Sequence, residues 1–259
     1  MNRTARWSIS ALAVLALGTG LTACGDDDEN DEALATYCDK TAEIETIGEP
    51  DIDFQNASEE EIREGLKAFG RDELLPIADQ IVANAPEEVE DDIDVLYNAT
   101  KEIAETGNPE IFESEKVEAA SDRLHAHDVD ACDWKQIDVT AKDYAFEGID
   151  AELEAGITSF EFTNEGKESH ELVLLRKNEG VAETFDQLLE LPEDQARSKV
   201  TSVGGTGGDP GDDEYLLADL EPGEYIAICF ISVGTTGEDH EGDGPPHFTK
   251  GMKHEFTVS

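Results

Sequence analysis

The sequence predicts an α+β protein of two modules, a small N-terminal helical bundle followed by a Greek-key β-sandwich. Three observations carry this. The 259 residues exceed one typical domain of roughly 100 to 200 residues. Apolar residues between about 35 and 133 recur with helical spacing, and from Trp134 onward the period drops to two.

The chain opens with a leader, residues 1–24. It has a cationic start at Arg3 and Arg6, an apolar run from Ile9 to about Leu17, and a small-residue end. That run is shorter than the roughly 20 residues a spanning helix needs. Leu21-Thr22-Ala23-Cys24 resembles the lipobox of bacterial lipoproteins, which implies acylation at Cys24 and a lipid anchor in the membrane, on the extracytoplasmic face. Residues 25–34 begin "GDDDENDE" and read as an acidic, self-repelling spacer.

Residues 35–133 form the helical module. Ser58 and Glu61 make a capping box, after which Ile62, Leu66 and Phe69 share a stripe; Val89, Ile93, Leu96 and Ile103 repeat the spacing. Pro86 and Gly107-Asn108-Pro109 punctuate, giving three or four helices. Cys38 and Cys132 bracket the module and are the expected disulfide, closing a loop of nearly a hundred residues worth up to about 4.7 kcal/mol. His125 and His127, two apart on a helix, point to nearly opposite sides and make no metal pair.

Residues 134–259 form the sandwich. Ile137, Val139 and Ala141 alternate, as do Phe160 and Phe162, then His170, Leu172 and Leu174. Pro222-Gly223 turns into a strand with Tyr225, Ala227 and Cys229 on one side and Ile226, Ile228 and Phe230 on the other. Residues 181–200 read as one helix, 202–213 as a flexible glycine-rich turn, and "HEFTVS" as the closing strand.

Composition removes several functions. The net charge is −45, from 63 acidic against 18 basic residues, so nucleic acid and anionic headgroups are repelled. The acids are spread through both halves, which favours a solvated coat over a patch for one basic partner. The glycine-rich run lacks the ending of a phosphate loop and the ligand spacing of a calcium loop. No Ser-His-Asp or paired-carboxylate arrangement stands out, and the protein reads as no enzyme.

One group of residues remains. With the leader removed, a single methionine survives, Met252, five residues after His247. Cys229 is the cysteine left without a partner. Two imidazoles and a thiolate with a weak thioether suit copper, because the set lies between the preferences of Cu(II) and Cu(I).

In order and spacing these residues resemble the cupredoxin family, the plastocyanin-like type 1 blue copper domains. "FTNEGKESH" carries Asn164, Gly166 and His170; "PGEY" leads into Cys229; "HFTKGMKHEFTV" supplies His247, Gly251 and Met252. The resemblance covers roughly residues 135–259. It implies a cupredoxin-like sandwich and one type 1 copper ion held by His170, Cys229 and His247, with Met252 axial. It further implies single-electron exchange with a redox partner protein. Oxidase and nitrite reductase relatives need further histidine-rich copper sites, for which six histidines do not suffice.

Two departures stand out. Seventeen residues separate Cys229 from His247, where the family has only a few, and they admit His240 as a rival ligand. They also place an acidic loop beside the His247 edge, where the family passes electrons. Glu171 stands where an Asn often braces the ligand loops. A copper-free binding or scaffolding lipoprotein and a copper-capture protein are the competing readings.

Overall fold

The computed structural model describes residues 27–48, 50, 52–54, 56–237 and 240–259. The leader and Cys24 lie outside the described residues. Among those described, no helix is long and apolar enough to cross a membrane.

The helical module contains α1 (Asp27–Glu45), α2 (Glu59–Phe69), α3 (Leu75–Asn84), α4 (Glu90–Thr106) and α5 (Glu115–Ala131), with a π-helical turn at Gly70–Leu74 joining α2 to α3. Ser58 caps α2 as expected, its hydroxyl accepting from the Glu61 amide while Glu61 reaches back. Gly107 ends α4 in the left-handed conformation. The acidic spacer expected at 25–34 is largely absorbed into α1. Tyr37, Ile77, Ile81, Val89, Ile93 and Leu124 form the module's core. Against it lies the Cys38–Cys132 disulfide, with a Cα–Cα distance of 5.4 Å and a separation of 94 residues.

Among the described residues nine strands follow: β1 (Lys135–Lys142), β2 (Ala145–Glu147), β3 (Glu152–Leu153), β4 (Gly156–Asn164), β5 (His170–Lys177), β6 (Val200–Gly208), β7 (Asp213–Leu220), β8 (Gly223–Ile228) and β9 (Lys253–Val258). They build a four-stranded sheet in the order β2-β1-β4-β7 and a five-stranded sheet in the order β3-β9-β8-β5-β6. Pairing is antiparallel except for β1 with β4 and β3 with β9. The inner faces meet at Val139, Phe160, Phe162, Leu172, Leu174, Ala227 and Phe256. The architecture is therefore the expected α+β one, a helical region followed by a mixed β-sandwich.

Two local expectations are corrected. Residues 202–208, read as a flexible turn, lie in β6, which pairs along the whole of β5 and forms the sheet edge. Its glycines let the two backbones approach closely; a Cβ on Gly207 would lie 2.6 Å from the His170 carbonyl oxygen. The single helix expected at 181–200 is two short ones, α6 (Phe185–Leu189) and α7 (Glu193–Arg197), because Pro192 biases Leu191 away from helical geometry.

The helical module sits on the outer face of the four-stranded sheet. His125 of α5 stacks on Tyr215 of β7, ring centroids 3.6 Å apart, and its Nε2 lies 2.9 Å from Glu161 Oε1 on β4. His127 instead meets Asp128, at 2.8 Å. The two histidines face different partners, as helical spacing requires.

Candidate metal centre

Strand alternation delivers the first two side chains. His170 opens β5 on the face that Leu172 and Leu174 turn to the core, and Cys229 continues the inward row of Tyr225 and Ala227 at the end of β8. His247 begins the 3₁₀ turn His247–Lys250, which Gly251 closes at φ 117°, a conformation open to glycine and costly for other residues. That turn feeds Met252 into the entry of β9.

Backbone bonds tie these pieces together. The Cys229 amide donates to the Met252 carbonyl at 3.2 Å, the Phe248 amide to the Cys229 carbonyl at 3.0 Å, and the Met252 amide to the His247 carbonyl at 3.3 Å.

The result is one cluster. Single ligand atoms of His170, Cys229 and His247 lie within 4.8 Å of one another. Nδ1 of His247 is 3.1 Å from Nδ1 of His170 and 3.3 Å from Cys229 Sγ. All three side chains and Met252 are fully buried, with 0% exposure. His240 is exposed and His254 lies on β9 opposite Ala227; neither joins the cluster. His170, Cys229 and His247 thus come together without His240, and Met252 is buried and tied to Cys229 and His247 through its backbone.

The long Cys229–His247 connection closes because it is pinned. The Ser169 amide donates to the Thr235 carbonyl at 2.9 Å, the Gly237 amide to Ser169 Oγ at 2.9 Å, and the Gly234 amide to Glu168 Oε2 at 2.5 Å. The 168–169 segment therefore holds the loop at three points.

A search of the protein-family models finds no match, and a search of the curated proteins finds none either. Solved structures do match. Reduced auracyanin from Roseiflexus castenholzii is 21% identical over 48% of this chain and 97% of its own, with a TM-score of 0.31. Auracyanin A, a "blue" copper protein from Chloroflexus aurantiacus, is 18% identical over 48% of this chain and 98% of its own, also at 0.31. Rusticyanin from Thiobacillus ferrooxidans is 18% identical over 48% of this chain and 78% of its own, at 0.30.

Several residues around the cluster escaped the sequence reading. Glu168 Oε2 lies 3.0 Å from His247 Nε2, and its Oε1 accepts from the Tyr144 hydroxyl at 3.1 Å. Tyr144, whose φ of 68° marks the β1–β2 turn, sets its ring edgewise to His247 with centroids 5.2 Å apart. Asp143 Oδ1 stands 3.7 Å from His170 Nε2. A carboxylate two residues before a histidine carries no sequence signal among 63 acids. Glu171, flagged for replacing an Asn, does brace the loops: its side chain accepts from the Phe230 amide at 2.7 Å and its own amide points to Cys229 Sγ at 3.5 Å.

Asn164 explains the "NEG" signature. Its side chain accepts from the Gly166 amide at 2.8 Å and donates to the carbonyls of Glu168 and Gly208, each at 2.9 Å, so it knits the turn that presents His170.

The electrostatics fit a soft cation. Burial pushes the Cys229 thiol up to about 11, against the pull of the Glu171 and Ile231 amides, so without a cation the sulfur keeps its proton. Burial and the neighbouring His247 hold His170 below the ordinary imidazole value, leaving it neutral. Burial raises Glu168, but hydrogen bonds from Gly234, His247 and Tyr144 outweigh it and keep the group an anion. Two imidazole nitrogens and a sulfur facing one another at 3.1 to 3.3 Å in a buried pocket are a donor set that a cation satisfies better than protons can.

Proposed function

We propose that this protein binds one copper ion of the type 1 kind and transfers single electrons. His170, Cys229 and His247 would hold the ion and Met252 would supply the thioether. The observation that carries the reading is the convergence, in one fully buried cluster, of two imidazoles and the only free cysteine among the described residues. That set is soft enough for Cu(I), carries imidazole for Cu(II), and excludes the hard oxygen ligands that calcium or magnesium prefer.

When bound, copper supplies a one-electron couple. The chain's residues hold geometry. Backbone bonds among Cys229, His247 and Met252 resist rearrangement, so little reorganisation accompanies a change of charge, while burial excludes water.

Acylation at Cys24 would anchor the protein at the outer face of the membrane, where the acidic coat keeps the folded part away from anionic headgroups. Cys24→Ala should move the protein from the membrane fraction to the soluble one. Its redox partner would be another protein, not nucleic acid.

Full enclosure of the ligands also suits a second reading, copper capture without turnover. A copper-free binding module is the third. Addition of Cu(II) to the purified protein should give an intense blue colour that Cys229→Ser abolishes, and a colourless protein refutes the type 1 site. Reversible one-electron reduction with the ion retained separates transfer from capture.

A further inference from the structure

Glu168 makes contacts that neither the donor set nor the sheet architecture requires. Its Oε2 meets His247 Nε2 at 3.0 Å and the Gly234 amide at 2.5 Å, and its Oε1 meets the Tyr144 hydroxyl at 3.1 Å. One carboxylate thus joins a candidate ligand, the β1–β2 turn and the long loop. Its side chain is only 18% exposed, while that of His247 is wholly buried.

An ionised carboxylate only accepts hydrogen bonds, so the proton between the two groups resides on His247 Nε2. A neutral imidazole has one N–H, so Nδ1 of His247 must then present a lone pair. That nitrogen is the one 3.1 Å from His170 Nδ1 and 3.3 Å from Cys229 Sγ. The orientation of the ring is fixed from the same side, since Tyr144 packs edgewise on it and is itself held by Glu168.

We propose that Glu168 is the positioning residue of this centre: it fixes the tautomer and ring orientation of His247 so that Nδ1 is presented to the cluster, and it fastens the Gly234 end of the loop over that ring. The proposal rests on the copper reading for its consequence, but not for its geometry. His170 has no comparable partner, with Nε2 buried and unbonded and Asp143 at 3.7 Å. The two candidate ligands are therefore unequal, and His247 is the one whose readiness depends on a carboxylate. Removing such a partner behind a ligating histidine commonly lowers metal affinity by about 10- to 100-fold.

The test uses the full chain, ¹⁵N-labelled and free of metal. Long-range ¹H–¹⁵N correlation should find His247 as the Nε2–H tautomer in the wild type. Glu168→Gln, whose side-chain carbonyl still accepts from Nε2–H, should keep that tautomer. Glu168→Ala should lose it, giving a mixture or the Nδ1–H form. With Cu(II) added, Glu168→Ala should bind roughly 10- to 100-fold more weakly and Glu168→Gln should fall between it and the wild type. If the loss falls on Cu(II) alone, the reduction potential rises by about 60 to 120 mV, at 59 mV per tenfold change.

A wild-type His247 found as Nδ1–H overturns the proposal, and so does an unchanged tautomer in Glu168→Ala. Should Glu168→Ala fail to fold, the wild-type tautomer and the Glu168→Gln affinity decide. If the wild type takes up no copper while the tautomer still follows Glu168, the copper reading fails and the positioning role stands.

Discussion

Gly166→Ala tests how tightly the turn before His170 is built. A Cβ at this position would lie 2.5 Å from His170 Nε2, 2.8 Å from its Cδ2 and 3.0 Å from Asn164 Oδ1. Ordinary contact begins near 3.4 Å, so the imidazole would have to retreat by about 0.9 Å or the turn would have to open. Opening it strains the bonds by which Asn164 holds the Gly166 amide and the Glu168 carbonyl. Overpacking of this kind costs about 1 to 3 kcal/mol. The gain from a less flexible unfolded chain, about 0.4 to 1 kcal/mol, offsets only part of it. A retreat of about 0.9 Å also exceeds the roughly 0.5 Å tolerance of a working site. We expect Tm to fall by a few degrees and Cu(II) affinity, read by titration in the visible, to fall at least tenfold. Wild-type affinity together with an unchanged Tm would refute the claim that the turn has no room for a methyl group.

Two further outcomes follow from the helical module. Asp128 is 2% exposed and accepts from the Tyr37 hydroxyl at 2.8 Å; burial raises its pKa above the ordinary carboxylate value despite the bonds from His127 and Tyr37. Its stabilising effect is complete below the unfolded value of about 3.9 and is lost as pH rises through the higher folded value. Asp128→Asn keeps an acceptor for Tyr37 and cannot ionise, so its stability relative to wild type should increase from about pH 4 upward; parallel denaturation curves would contradict this. Replacing Cys38 and Cys132 together by Ala should cost the helical module about 2 to 5 kcal/mol. Hydrogen exchange should localise the loss to residues 27–131 and leave copper uptake intact, whereas loss of copper binding would show that the two modules are not separable in this respect.

Much of the candidate centre was legible because its parts are rare. One methionine beyond Met1, one cysteine outside both the leader and the Cys38–Cys132 pair, and histidines at His170 and His247 stand out in a chain dominated by acids. The period-two runs at Phe160 to Phe162 and Tyr225 to Cys229 assigned inward faces because strand alternation admits only two choices and apolar burial selects one. The capping box at Ser58 was legible for a similar reason, being a bond within four residues. Strand β6 was not, because its glycines carry no apolar signal and its pairing with β5 is decided some thirty residues away.

The residues alone pointed to a candidate donor set and gave the order of the modules, since residue chemistry and local periodicity are written residue by residue. It took the fold to bring His247, and not His240, beside His170 and Cys229, to seat Glu168 behind one imidazole, and to tie the long connection down through Ser169 and Glu168. The physical reason is that loop closure varies only slowly with length. Which histidine joins the cluster therefore falls to a few hydrogen bonds between segments far apart in the chain, and one carboxylate among 63 carries no mark of its partner until the fold brings them to 3.0 Å.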